Sequence, residues 1–148
     1  MGLPDSTPLR LLTIGAYGFD EATFFDAMNQ AGVDTFCDVR QRRGMRGPLY
    51  AFANSTHLQH ELRDHGIRYF HLKDLAPSDE VRALQRAEDR RLETAKRNRT
   101  GLAASFVDAY YEERLRDFDV DAFLAQLGPD AHAVAFFCVE RHPEACHR

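Results

Sequence analysis

Residues 20–38, DEATFFDAMNQAGVDTFCD, contain the pattern from which the architecture of the chain follows. Asp20 is a favourable N-cap for a helix whose apolar face includes Phe24. Gly32 ends this helix, because glycine readily adopts the left-handed backbone conformation that turns the chain back. Residues 33–38 follow at once and are predicted to form a strand.

The same order of helix, glycine and strand occurs twice more. One copy passes through Gly66 into residues 67–72, another passes through Gly128 into residues 133–139, and residues 9–14 form a further apolar run. Alternating helices and strands are typical of parallel sheets. We therefore predict an α/β fold with a small open sheet of about four mainly parallel strands flanked by helices.

Composition is that of an ordinary globular protein, with 148 residues, 44% hydrophobic and 28% charged. These values predict one domain over residues 1–148 and exclude disordered and fibrous classes. The first ten residues, MGLPDSTPLR, lack a signal-peptide pattern, and no apolar stretch approaches the roughly 18 residues of a membrane span. We expect a cytoplasmic protein with an N-terminal tail at residues 1–8 and no membrane partner.

A helical insertion is expected at residues 77–127, where it would cover the sheet. Arg82, Arg86 and Arg90 form one stripe on a helix of this segment, and such a stripe is compatible with nucleic-acid binding. Acidic residues alternate with these arginines, so we favour a solvated helix. The net charge of -4 gives no general attraction to nucleic acid either, and any anion must be bound locally.

The loops that follow the strands are expected to share one edge of the sheet, where ligands of parallel sheets bind. In the first of these loops, Gly15 and Tyr17 are predicted to contact the substrate. The second loop is rich in arginine, and the planar guanidinium suits phosphate or carboxylate. We expect Arg40 and Arg46 to bind an anion. Asp38 would hold Arg40 toward the substrate, brace the structure, or do both.

The last segment, FFCVERHPEACHR at residues 136–148, concentrates reactive side chains. One interpretation makes Cys146 a nucleophile whose thiolate is favoured by His147. A second makes Glu140 a general base and Arg148 an anion clamp, with the cysteines only packing. Cys138 at the end of an apolar strand is expected to be a small buried residue, and the tail could also be without function.

A zinc site is a third interpretation of this segment. Its ligands would be Cys138, His142, Cys146 and His147, but their spacing matches no common zinc template. We therefore expect no metal and no cofactor. Three cysteines in a chain without an export signal indicate reduced thiols rather than disulfides.

Several of these short sequences occur together in a known family. They are Thr13-Ile14-Gly15, Asp38-Val39-Arg40, residues 42–47 and 50–55, Tyr69-Phe70-His71-Leu72, Cys138-Val139-Glu140 and Cys146-His147-Arg148. Together they resemble the family catalogued as domain of unknown function 488, over nearly the whole chain. The resemblance implies an α/β domain in the cytoplasm of a bacterium or archaeon, and it implies no established reaction.

We expect an enzyme, a hydrolase or transferase, that acts on a small or nucleotide-like anionic substrate. Arg40 and Arg148 would bind the anion, Glu140 or His147 would move protons, and Cys146 would be the nucleophile. The alternative is a non-catalytic module that binds phosphate, a nucleotide or nucleic acid. The two differ because binding requires the arginines but neither Glu140 nor Cys146. The oligomeric state is left open by the sequence.

Overall fold

The computed structural model describes residues 7–148, so residues 1–6 of the expected N-terminal tail lie outside it. The strands are β1 (Arg10–Gly15), β2 (Thr35–Asp38), β3 (Arg68–His71) and β4 (Ala133–Cys138). The helices are α1 (Glu21–Gln30), α2 (Ser55–Asp64), α3 (Asp79–Arg91), α4 (Ala104–Tyr110) and α5 (Val120–Leu127). None of the helices in this described part is both long and apolar enough to cross a lipid bilayer.

The four strands form one parallel sheet in the order β1-β4-β2-β3, which confirms the predicted α/β fold with an open sheet. Asp20 caps α1, with its side chain accepting a hydrogen bond from the backbone N–H of Thr23. Gly32 and Gly66 follow α1 and α2 with φ of 68° and 71°. This is the left-handed conformation that returns the chain to the sheet.

The main core lies between the sheet and helices α1 and α2. Phe24 of α1 is fully buried and packs against the rings of Phe36 and Phe137, which come from the central strands β2 and β4. On α5, Phe123 contacts Phe136 of β4. Because β2 and β4 are central and rigidly packed, the residues that follow them begin from well-defined positions.

Helices α3 and α4 lie within the expected helical segment and pack against each other. Val81, Phe106 and Tyr110 form a small apolar cluster separate from the main core. Tyr110 also joins this pair of helices to the carboxyl edge of the sheet, because its ring lies 5.4 Å from that of His147 and its hydroxyl donates to the carbonyl of Leu75. The α3–α4 pair thereby forms one wall above the edge at which β4 ends.

Candidate active site

A cleft of about 680 Å³ opens where β1, β2 and β4 end, and its volume is that of a small-molecule site. The strand loops, the α3–α4 segment and the last residues of the chain all contribute to it. Its main lining residues are Tyr17, Arg40, Arg42, Met45, Arg46, Tyr50, Arg82, Gln85, Arg86, Asp89, Lys96, Arg99, Cys138, Glu140, Cys146 and His147. The cleft thus brings together six residues of the predicted site, namely Tyr17, Arg40, Arg46, Glu140, Cys146 and His147. The loop after β3 lines a separate hollow.

The charge of the cleft is opposite to that of the whole protein. Arginine and lysine dominate its lining, and Asp89 and Glu140 are its acidic residues. Among residues 7–148, Arg42, Arg46 and Arg86 have no carboxylate within ion-pair distance, and all three are exposed. These guanidinium groups can therefore bind an anion without first breaking an internal ion pair.

Asp38 and Arg40 form a buried ion pair at the end of β2. Two guanidinium hydrogen bonds link them, from Nε to Oδ1 at 2.9 Å and from NH2 to Oδ2 at 2.8 Å, and the backbone N–H of Arg40 also donates to Oδ1 at 3.2 Å. The guanidinium also donates to the carbonyl of Ala53 and lies 4.7 Å above the ring of Phe137. Asp38 is fully buried and accepts a further bond from Tyr69. This geometry supports the bracing role, in which Arg40 presents only its remaining N–H groups to the cleft.

Gly15 and Arg148 contact the backbone near Glu140 rather than line the cleft. A Cβ on Gly15 would lie 1.9 Å from the carbonyl oxygen of Glu140, so a larger residue cannot be accommodated without movement. Arg148 donates a 2.7 Å hydrogen bond to the same oxygen, and its Nε is buried without a partner among the described residues. Both residues hold Glu140 in position.

His147 is oriented toward Cys146 by a backbone contact. Its Nε2 lies 2.9 Å from the carbonyl oxygen of Val39, and because a carbonyl only accepts, Nε2 carries a proton. The other ring nitrogen, Nδ1, lies 3.7 Å from the sulfur of Cys146. Nδ1 can therefore accept the proton of the thiol. After that transfer, the protonated Nδ1 can donate a hydrogen bond to the thiolate.

The surroundings of Cys146 favour its thiolate. Burial alone would raise the pKa of this thiol, but hydrogen bonding from Cys138 and His147 outweighs burial and lowers the pKa to about 6. The pKa of His147 is raised despite burial, because the ring interacts with the Cys146 sulfur. Both shifts favour a thiolate–imidazolium pair at the base of the cleft.

Cys138 lies beside Cys146, and its pKa is shifted in the opposite direction. Its pKa is raised well above the ordinary value by its interaction with Cys146 and by burial. The sulfurs of Cys138 and Cys146 and a ring nitrogen of His147 lie within 4.8 Å of one another, which is compact enough for a soft metal ion. His142, the fourth ligand considered for zinc, is exposed and does not belong to this cluster as the described residues define it.

Glu140 is held by cations that the sequence did not single out. Its Oε1 lies 3.5 Å from both Lys96 and Arg99, and Arg99 is in turn paired with Asp89 of α3. Although burial opposes ionisation, Lys96 and nearby hydrogen-bonding groups lower the pKa of Glu140. Its Oε2 is buried and lacks a hydrogen-bond partner within the described chain, so this oxygen is a free acceptor.

The positions of Asp89, Lys96 and Arg99 depend on tertiary packing. One sequence pattern could have pointed to α3, because Arg82, Gln85, Arg86 and Asp89 follow helical spacing and form one polar face beside the apolar Val81. In the structure Gln85 is buried and donates to Asp89, while its carbonyl accepts from the backbone of Ala103. This face borders the cleft rather than bulk solvent alone.

Comparison with curated proteins and with solved structures found no significant match. A family model does match residues 21–148, from the start of α1 to Arg148, and thus includes β2, β3, β4 and most of the cleft. Its description is "Domain of unknown function DUF488", which agrees with the resemblance seen in the short sequences of the chain. By this match over most of its length, the chain belongs to the DUF488 family.

Proposed function

We propose that the protein is an enzyme, a hydrolase or transferase, that uses Cys146 as a nucleophile on a small or nucleotide-like anionic substrate. The observation that carries this proposal is the contact between Cys146 and an oriented His147 at the base of a basic cleft. A thiol becomes nucleophilic as its thiolate, and a neighbouring imidazolium favours that form near neutral pH. A bacterial or archaeal cytoplasm, where thiols stay reduced, suits such a group.

In this proposal each group at the base of the cleft has one role. The thiolate of Cys146 attacks an electrophilic carbon or phosphorus of the substrate and forms a covalent bond through sulfur. The bond to the leaving group breaks, and the leaving group takes its electron pair and a proton from the His147 imidazolium. Water or an acceptor molecule then attacks the intermediate and gives its proton to Oε2 of Glu140, while the bond to sulfur breaks and the thiolate leaves. Return of this proton to the His147 imidazole restores the starting state.

Arginine and tyrosine side chains in the rest of the cleft favour a substrate that is anionic and also carries a flat ring. Arg42, Arg46 and Arg86 provide guanidinium groups for phosphate or carboxylate oxygens. Tyr17 and Tyr50 lie on the same cleft with their ring centroids 5.1 Å apart, and aromatic faces of this kind stack on bases or sugars. A nucleotide-like molecule has both features.

The proposal is tested by residue-resolved alkylation with iodoacetamide at pH 7, with and without inorganic pyrophosphate. Cys146 should react at least about tenfold faster than Cys37 and Cys138, since only its pKa lies below neutral pH. Pyrophosphate should slow Cys146 alone. Equal, slow labelling of the three thiols would contradict the nucleophile.

Matched variants of α3 separate binding at the cleft from a general charge effect. Arg86→Ala removes a guanidinium that lines the cleft, whereas Arg90→Ala removes an exposed arginine one turn later that does not. Pyrophosphate protection of Cys146 should be lost in Arg86→Ala and retained in Arg90→Ala. If both variants lose protection equally, the anion is attracted by net charge and not bound in the cleft.

A non-catalytic binding module is the second candidate, and the unpaired arginines of the cleft favour it as much as they favour an enzyme. In that case Cys146→Ser should leave anion affinity unchanged. Treatment of the wild type with a panel of activated anionic esters should yield no covalent adduct of Cys146, as measured by intact-protein mass spectrometry. An adduct that Cys146→Ser abolishes supports the enzyme. Stoichiometric zinc in the purified protein would instead make the thiols ligands.

A further inference from the structure

The cleft contains a second thiol, Cys138, which helps to favour the Cys146 thiolate but forms no bond in the proposed reaction. Cys138 is the last residue of β4, and Cys146 follows the short turn at Pro143–Ala145. Both side chains are buried, and their sulfurs lie no more than 4.8 Å apart. A disulfide bond is about 2.05 Å long, so the sulfurs must approach by less than about 3 Å. Rotation about the two Cα–Cβ bonds can supply much of that movement.

We propose that Cys146 is a site of reversible oxidation and that Cys138 is its resolving thiol, so that a hydroperoxide converts the pair into an intramolecular disulfide. This inference rests on the proposed function in one respect, since it takes Cys146 to be the reactive thiol of the cleft. It adds an activity that group transfer does not require. The disulfide would remove the nucleophile and protect its sulfur from further oxidation.

Two balanced steps describe the oxidation. The Cys146 thiolate attacks the distal oxygen of the hydroperoxide, the O–O bond breaks, and the alkoxide leaves as an alcohol after taking a proton from His147. Cys146 is then a sulfenic acid, oxidised by two electrons. The sulfur of Cys138 displaces the hydroxyl group and forms the S–S bond. The thiol proton of Cys138 and the departing hydroxyl leave together as water.

The structure also supplies an internal control for this chemistry. Cys37 lies in β2, is fully buried, and is not part of the cluster formed by the other two thiols and His147. Burial raises the pKa of Cys37 to about 12, so it is a poor thiolate near neutral pH. Oxidation that depends on the geometry of the cleft should therefore involve Cys138 and Cys146 and leave Cys37 reduced.

The test treats the reduced protein with a small excess of hydrogen peroxide at pH 7 and maps its peptides without reduction. The wild type and Cys37→Ser should both lose two hydrogens, through a bond between Cys138 and Cys146. Alkylation of Cys146 should then fall at least about tenfold and return after treatment with dithiothreitol. In Cys138→Ser, Cys146 should proceed to the sulfinic acid, which dithiothreitol does not reduce.

Two results would overturn the resolving role. One is overoxidation of Cys146 in the wild type at the rate seen in Cys138→Ser, and the other is a disulfide formed mainly between protein molecules. Melting temperatures of the reduced variants establish that each is folded before oxidation. Failure here is separable from failure of the proposed function, because selective alkylation of reduced Cys146 does not depend on Cys138 forming a bond.

Discussion

Nδ1 of His147 lies 3.7 Å from the sulfur of Cys146, and the opposite nitrogen of the ring is fixed by the carbonyl of Val39. The imidazole therefore cannot turn away from the thiol without losing a partly buried hydrogen bond, and leaving the Val39 carbonyl without a donor there has a free-energy cost. Val39 directly follows β2, so the orientation of the ring depends on the central strand of the sheet. The fold thus holds the ring in a position that favours the thiolate of the proposed nucleophile.

Replacement of His147 by alanine should raise the pKa of Cys146 toward the free value of about 8.5. The reason is that the ring contributes to lowering this pKa, against the opposing effect of burial. We expect the alkylation rate of Cys146 at pH 7 to fall by about tenfold, measured by quantitative peptide mass spectrometry.

His142→Ala is the matched control, since His142 belongs to the same terminal segment but its side chain is exposed and is not part of the cluster of Cys138, Cys146 and His147. The alkylation rate of Cys146 in this variant should equal that in the wild type. An unchanged rate in His147→Ala, with an unchanged melting temperature, would show that the ring does not activate Cys146.

Asp38→Asn should destabilise the fold by about 3 kcal/mol, because it leaves the buried guanidinium of Arg40 without its charged partner. Unfolding in urea, followed by circular dichroism, measures the loss. Asp117→Asn is the control, since Asp117 is 87% exposed and its contact with Arg116 is a surface pair. The free energy of unfolding of Asp117→Asn should differ from that of the wild type by less than about 0.5 kcal/mol. Equal effects in the two variants would refute the bracing role of Asp38.

Gly15→Ala should both destabilise the protein and disturb Glu140. The added methyl group would lie 1.9 Å from the Glu140 carbonyl, and this backbone must move to relieve the overlap. We expect a loss of about 1–3 kcal/mol, as for overpacking in a rigid core. Gly101→Ala, where no atom lies within 4 Å of the new group, should change the free energy of unfolding by less than about 0.5 kcal/mol. A neutral Gly15→Ala would contradict the close approach.

The sheet could be predicted because its determinants are local. Asp20 lies directly before α1 and Gly32 lies two residues after its end, and the strand that follows contains the apolar residues Phe36 and Cys37. Once the parallel sheet is inferred, residues after β1, β2 and β4 must meet at one edge. This is how Tyr17, Glu140 and Cys146 were expected near one another without knowledge of any contact.

The α3 side of the cleft could not be predicted in this way. Arg99 reaches Glu140 because Phe106 and Tyr110 pack on Val81 and bring the α3–α4 pair over the sheet edge. That packing joins segments far apart in sequence, and helical periodicity alone does not fix its direction. For Asp38, too, the sequence left two roles open, holding Arg40 toward a substrate and bracing the structure. Its buried carboxylate accepts four hydrogen bonds, which supports the bracing role.

The central claim, that Cys146 is a thiolate nucleophile near neutral pH, is tested most directly by its alkylation rate as a function of pH. Iodoacetamide labelling of the reduced wild type should be resolved for each cysteine between about pH 4.5 and 9. The rate for Cys146 should be half-maximal near pH 6 and level by about pH 7.5, because the thiolate is lost as pH falls through this pKa. A midpoint at or above the free thiol value of about 8.5, or rates that rise together for Cys146 and Cys138, would contradict the account.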